Sequence, residues 1–195
     1  MTKREKIAQI IRGITVPPIL VTALIIILAF NRKDIFQSSI EVVLSVLFLG
    51  FIPILAYPLQ PLLPHFKNKG REGQRNLAFI LNIIGYVMIV IIGYFMNVSM
   101  NLQMIYLTYF FSVIVLTLFN KVIQVRASGH ACAVAGPFLL LIYFQGLKVV
   151  IPCIIIAVAV AWSSLELKRH TRQELIIGTM SCCIAFTCAL GISLL

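Results

Sequence analysis

Two histidines, each set beside hydroxyl groups and cations, carry the chemistry legible in this chain. Ser128-Gly129-His130 follows Lys121, Arg126 and Ala127 and opens an apolar run. Forty residues after the first histidine, Ser163-Ser164-x5-His170-x3-Glu174 places a second one among Lys168, Arg169 and Arg172. A hydroxyl and a glycine amide at a helix start suit an anion, because free N–H groups and the helix dipole point toward it. Ser128 is also a good helix cap. Arg126 adds a guanidinium suited to bidentate contact with phosphate oxygens, and Lys121 a further positive charge. His170 and Glu174 are four apart. On a helix beginning near Thr171 the carboxylate would hold one ring nitrogen and leave the other free as a nucleophile. Glu166, four residues before His170, competes for the same ring. The chemistry indicated is the gripping and transfer of a phosphoryl group.

The rest of the chain is hydrocarbon. Of 195 residues 61% are hydrophobic and 11% charged, and the mean hydropathy is +1.03. A soluble domain carries roughly a quarter charged residues, so this is an integral membrane protein. Ionisable groups at the ends of its apolar segments are functional candidates, since burying them unpaired is costly. The net charge of +10 does not indicate nucleic acid. The cations are dispersed between apolar runs, and no polar surface remains to lie along a phosphate backbone. The five cysteines, Cys132, Cys153, Cys182, Cys183 and Cys188, lie within apolar runs without metal-ligand spacing. They read as small hydrophobes, and no zinc site is indicated. The basic N-terminus followed by an apolar stretch resembles a secretory leader, but no small-x-small cleavage site follows, so a retained first helix is expected.

Stretches free of Lys, Arg, Asp, Glu and His run over 13–30, 42–64, 76–120, 131–147, 149–165 and 175–195. A spanning helix needs roughly 20 apolar residues. The stretch 76–120 is about twice that, and Asn97-Val98-Ser99-Met100-Asn101 interrupts it with turn-forming residues. The expected fold is therefore an all-α, polytopic transmembrane bundle of about seven helices in a single membrane domain over 1–195. Pro17-Pro18 shortens the first helix. With the N-terminus in the cytoplasm, thirteen of the sixteen Lys and Arg fall on that side; only Arg32, Lys33 and Lys148 fall opposite. This is the asymmetry expected of cytoplasmic loops. It places Ser128, His130 and His170 at the cytoplasmic face, provided that 131–147 and 149–165 form a hairpin turning at Phe144-Gln145-Gly146-Leu147-Lys148. The one sizeable polar loop, 60–76, reads as a positive anchor or a contact to anionic headgroups.

These residues resemble the type 2 phosphatidic acid phosphatases, a superfamily that includes the vanadium haloperoxidases. Its pattern is Lys-x6-Arg-Pro, then Pro-Ser-Gly-His, then Ser-Arg-x5-His-x3-Asp. Ala127-Ser128-Gly129-His130 matches the second block except at its first residue. Ser163-Ser164-x5-His170-x3-Glu174 keeps every spacing of the third, with Ser for Arg and Glu for Asp. Gly178 stands where the family has a glycine that lets the last helix pack closely. The resemblance covers about 76–195, a six-helix phosphatase-like core in the family, and leaves the first two helices outside. It implies that His170 attacks phosphorus to form a phosphohistidine and that Glu174 orients it. It implies that His130 protonates the leaving lipid alkoxide and then activates water, and that Ser128 and the Gly129 amide bind phosphate oxygens. No metal or other cofactor is implied.

Two departures matter. Ser164 occupies the place of the third-block arginine, which stabilises charge on the transferring phosphoryl; Lys168, Arg169 and Arg172 are the cations on hand to substitute. The first block is compressed, with Lys121 five residues before Arg126 and no proline after it. The leading expectation is a lipid phosphate phosphatase acting on a phosphomonoester or diphosphate of an acyl or isoprenoid lipid, in a bacterial plasma membrane. The alternative is an inactive relative that binds or moves anionic phospholipids, motivated by Ser164. A small transporter fits less well, because the helix centres carry no charge and no inverted repeat is evident.

Overall fold

The computed structural model describes residues 2–194, and it is helical throughout. Among them are eight helices: α1 (Lys3–Ile14), α2 (Pro17–Asn31), α3 (Ser39–Leu62), α4 (Gly70–Phe95), α5 (Met100–Val122), α6 (Gly129–Gln145), α7 (Val150–Glu166) and α8 (Arg172–Ser193). A single helical turn, Pro64–Lys67, precedes α4. Five helical segments are long and apolar enough to cross a membrane, or six if α1 and α2 count as one bent span. One of the five, Gly129–Glu166, is α6 and α7 together. It doubles back at Gly146, whose positive φ of 72° a side chain would disfavour. Ala131 and Val134 of one arm consequently line the same cavity as Ala157 and Ala161 of the other. The chain is thus a multi-pass membrane protein with seven apolar arms, and the hairpin expected from the sequence is present.

The N-terminal region departs from the sequence reading. The basic start, which lies outside the expected apolar runs, is itself a separate helix. Thr2 Oγ1 accepts from the Glu5 amide at 3.2 Å and Glu5 Oε2 accepts from the Thr2 amide at 2.8 Å, a reciprocal cap. Pro17 and Pro18 lack amide hydrogens and force Val16 into an extended conformation, so α2 restarts at an angle of 48° to α1. The polar helix α1 packs along α7. Helix α3 is also less regular than its apolar run suggests. It passes through a π-helical segment at Val46–Phe51 and is broken further around Pro53, Pro58 and Pro61.

The bundle is built around α5, half of whose apolar window is buried, against 28% or less in every other span. In hydrocarbon no hydrophobic force drives helices together, so close approach of small residues does the work. Helix α8 brings Gly178, Ser181, Cys182, Ala185 and Ala189 inward, against α5 and α6. The hydroxyls of Thr108 and Ser112 are satisfied by carbonyls one turn back, at 2.8 and 2.7 Å. Large side chains such as Ile151, Ile155 and Val158 face outward and stay more than half exposed, as a lipid-facing surface requires.

The two ends of the bundle differ. At one end Arg32 grips Asp34 with two parallel bonds of 2.8 and 2.7 Å, and donates a third to the Phe144 carbonyl at 2.6 Å. Asn101 reaches Asp34 Oδ2 at 3.1 Å, and Ser99 Oγ donates to the Ile35 carbonyl at 2.5 Å. This latch ties the α2–α3 loop to the start of α5 and the end of α6. The guanidinium holds the Asp34 carboxyl below its ordinary range. Its contribution is therefore present above the unfolded carboxylate value and is lost as pH falls through the lowered one. Both side chains remain partly exposed, which limits the strength of the pair. Arg32→Ala and Asp34→Ala should each lower the thermal midpoint in detergent, and the double variant by less than their sum. The expected coupling is about 0.5–1 kcal/mol; strictly additive effects would show that the fork does not hold the loop.

Candidate functional site

At the opposite end the first turn of α8 collects the residues singled out by their spacing. Thr171 caps the helix, accepting from the Glu174 amide at 3.2 Å, and Glu174 Oε2 faces the Thr171 amide at 3.4 Å. This reciprocal cap turns the Glu174 carboxylate back over the helix start, where the positive end of the dipole favours it. His170, on the preceding turn, meets the same oxygen through Nδ1 at 2.8 Å. A carboxylate only accepts, so Nδ1 carries the proton and Nε2 presents its lone pair. Glu174, not the competing Glu166, is the partner of the ring.

The other carboxylate oxygen, Oε1, takes the Arg126 Nε at 3.2 Å. Arg126 is thereby committed to Glu174, although its side chain is largely exposed. The turn that carries Arg126 is fixed by Asn120, whose Nδ2 donates to the Leu116 carbonyl at 2.9 Å and whose Oδ1 receives the Ala127 amide at 3.1 Å. Ser128 then docks on α8, its amide donating to the Glu174 carbonyl at 2.9 Å. Its Oγ caps α6 by accepting from the Ala131 amide at 3.2 Å. Ser128 is almost fully buried, with 1% exposure. Its amide and its capping oxygen are therefore used in building the turn, leaving only the hydroxyl proton for an anion. The Gly129 and His130 amides make no hydrogen bond within the described residues and are the open donors at this helix start.

His130, on the first turn of α6, is half-buried, and its Nε2 is out of solvent without a hydrogen-bond partner among the described residues. The ring stands at one end of an apolar cavity of about 100 Å³ between α6, α7 and α8, lined by Ala131, Val134, Phe138, Ala157, Ala161 and Leu175 among others. His170 and Arg12 both lie within electrostatic reach of it. Burial pushes the His170 ring below the ordinary imidazole value; Glu174 acts against that shift, while Arg12 and Arg75 reinforce it. The balance favours the neutral ring, with the Nε2 lone pair unprotonated.

The cations expected to surround the phosphate are only partly those that arrive. Lys121, at the exposed end of α5, makes no ion pair among the described residues. Lys168 sits in a left-handed turn with φ of 50°. Its amide and that of Arg169 close the end of α7, bonding the Leu165 and Ser164 carbonyls at 3.0 Å each. The side chains of Lys168 and Arg172 are exposed. Around His170 the guanidinium groups instead come from Arg12 of α1 and Arg75 of α4. Arg12 Nη1 donates to the Ser164 hydroxyl at 3.2 Å across 152 residues of sequence. Sequence reasoning treated Arg12 only as a boundary cation. The signal that could have found it is Thr2-x-x-Glu5, which makes the basic start a capped helix ending at the level of the site.

No protein-family model, curated protein or solved structure matches this chain.

Gly178 holds the assembly together from beneath. A Cβ there would run into the Ser128 carbonyl and press on Ala131. Gly178→Ala should therefore push α8 away from the Ser128 turn and cost about 1–3 kcal/mol, as overpacking at a backbone contact does. Thermal unfolding in detergent reads this directly, and a variant as stable as the parent would show that the contact is loose.

Proposed function

We propose that this protein is a membrane phosphatase that removes phosphate from a lipid phosphomonoester or diphosphate through a phosphohistidine intermediate. The observation that carries the reading is the His170–Glu174 pair. Its 2.8 Å bond occupies Nδ1 and leaves the Nε2 lone pair available, within electrostatic reach of a second histidine whose Nε2 has no partner among the described residues. In this reading the Nε2 lone pair of His170 attacks phosphorus, and the bond from phosphorus to the lipid oxygen breaks. His130 gives its Nε2 proton to the departing alkoxide. The neutral His130 then takes a proton from water, whose oxygen attacks phosphorus; the P–N bond breaks and His170 returns to its starting state. The open amides of Gly129 and His130 face the phosphate oxygens.

The apolar cavity that begins at His130 supports a substrate whose tail stays in the bilayer. Its size admits the first part of an acyl or isoprenoid chain. The distribution of cations favours a site at the cytoplasmic face of a bacterial plasma membrane. A second reading, a relative that binds or moves anionic phospholipids without hydrolysis, is favoured by one observation: Ser164, where catalysis would want a cation, is fully buried.

Phosphate release in detergent from phosphatidic acid, phosphatidylglycerophosphate and isoprenyl mono- and diphosphates separates the two. The phosphatase reading expects vanadate-sensitive turnover on at least one substrate and none in folded His170→Ala protein. Headgroup retention without release would establish the binding protein instead. The pH dependence gives a second check. Protonation removes the His170 nucleophile, and its value lies below the ordinary imidazole range. Activity should therefore persist as pH falls through about 6.5 and fail only below it; an acid limb centred above that value contradicts the assignment.

A further inference from the structure

Arg12 is a guanidinium within electrostatic reach of both histidines, and it makes no ion pair with a carboxylate among the described residues. Arg32 pairs with Asp34, and the more exposed Arg126 with Glu174. Arg169, half-buried beside His170, also makes no ion pair among the described residues, but it is Arg12 whose charge reaches both histidines. Arg12 is half-buried, and the hydrogen bond found for its side chain runs to the neutral hydroxyl of Ser164. The groups acting on its charge are the phenol of Tyr57 and the guanidinium of Arg71, which repels it; neither is a carboxylate. A cation withdrawn from water at the end of a membrane bundle is stabilised only when an anion joins it. Both imidazoles lie within electrostatic reach of this group. The open Gly129 and His130 amides belong to the same end of the bundle. Donors of these kinds suit a small, multiply charged oxyanion.

We infer that Arg12 is the phosphate-binding cation of this site. It is delivered by α1 into the place that a longer side chain at Ser164 would otherwise fill. The inference rests on the phosphatase reading for its catalytic consequence, but the binding of a phosphate-like anion can be measured without turnover. Its geometric basis is the 3.2 Å contact between Arg12 Nη1 and Ser164 Oγ, together with the complete burial of Ser164. The amphipathic first helix is then a working part of the site and not merely a topological anchor. Lysine could not replace Arg12 well, because a planar fork can hold Ser164 and two phosphate oxygens together while an ammonium is a point charge.

The test compares the parent with Arg12→Gln, which keeps the stem and a donor for Ser164, and with Arg12→Gln combined with Ser164→Arg. Arg4→Ala, on the same helix but exposed, serves as the control. Two readouts are taken on folded, full-length protein in detergent: kcat and KM on whichever panel lipid is hydrolysed, and the affinity for orthovanadate. Arg12→Gln should lower kcat by about 10²–10³-fold with KM little changed, as loss of one group stabilising transition-state charge does. It should weaken vanadate binding by about tenfold or more. Ser164→Arg in that background should restore a large part of both, because it supplies the guanidinium from the other wall. In the parent background Ser164→Arg should lower activity, since two guanidinium groups would crowd one buried place.

Arg12→Gln protein that keeps kcat and vanadate affinity within about twofold of the parent would overturn the role of Arg12 and leave the histidine chemistry standing. Loss that Ser164→Arg fails to restore overturns it as well. Parent protein that binds vanadate but hydrolyses nothing would remove the phosphatase reading; the fall in affinity in Arg12→Gln would then still support Arg12 as the anion site. Folded parent protein that neither hydrolyses nor binds would sink both.

Discussion

The carboxylate of Glu174 is the group on which this end of the molecule depends. It is nearly buried, and a buried charge without partners would be strongly destabilising. Its surroundings answer that need on each side. His170 and the Thr171 amide share one oxygen, and Arg126 takes the other. The carbonyl of the same residue receives the Ser128 amide. One residue therefore positions both histidine-bearing turns, the second through the backbone bond that seats Ser128 and so the start of α6. This is why a bundle held mainly by small-residue packing can keep two imidazoles in register without a rigid soluble scaffold.

That register has a cost in side-chain choice. Gly178 must lack a Cβ for α8 to lie against the Ser128 carbonyl. Asn120 presents both ends of its amide to hold the turn from 120 to 127, adding to the Val125 amide bond to the Phe119 carbonyl. Membrane helices have little net hydrophobic attraction for each other, so such polar and steric devices decide the arrangement. The Arg32–Asp34 fork plays the equivalent part at the far end. Between them α5 runs as a nearly uncharged post, with its hydroxyls turned back on its own carbonyls.

Much of this was legible in the residue pattern, for identifiable reasons. Apolar runs and the Asn97–Asn101 interruption locate the spans, because hydrocarbon thickness leaves few alternatives. The spacing of His170 and Glu174 foretells their pairing, because contacts four residues apart on a helix start are local. Two kinds of feature were hidden. The breaks within α3 depend on how Pro53, Pro58 and Pro61 are accommodated by neighbours, which periodicity does not encode. The arrival of Arg12 at Ser164 is a contact between the two ends of the chain. No local rule links positions 152 apart, whereas of the cations adjacent in sequence to His170, Lys168 and Arg172 are exposed and Arg169 is half-buried.

The placement of Arg12 alters how Ser164 is read. Taken along the sequence, serine there reads as a lost catalytic group. In three dimensions the same serine is a buried receptor for a guanidinium from another helix, and its small size is what leaves room for that side chain. The charge asymmetry of the chain gains a second explanation in the same step. Cations at the ends of membrane segments are usually assigned to topology, and Arg12 and Arg75 satisfy that rule; yet both also reach His170 and add to the burial that disfavours its charged form. In the proposed phosphatase, a nucleophilic imidazole and an anion site make the same demand on local charge, since cations that attract phosphate also resist protonation of the ring. Glu174 adds orientation by holding Nδ1.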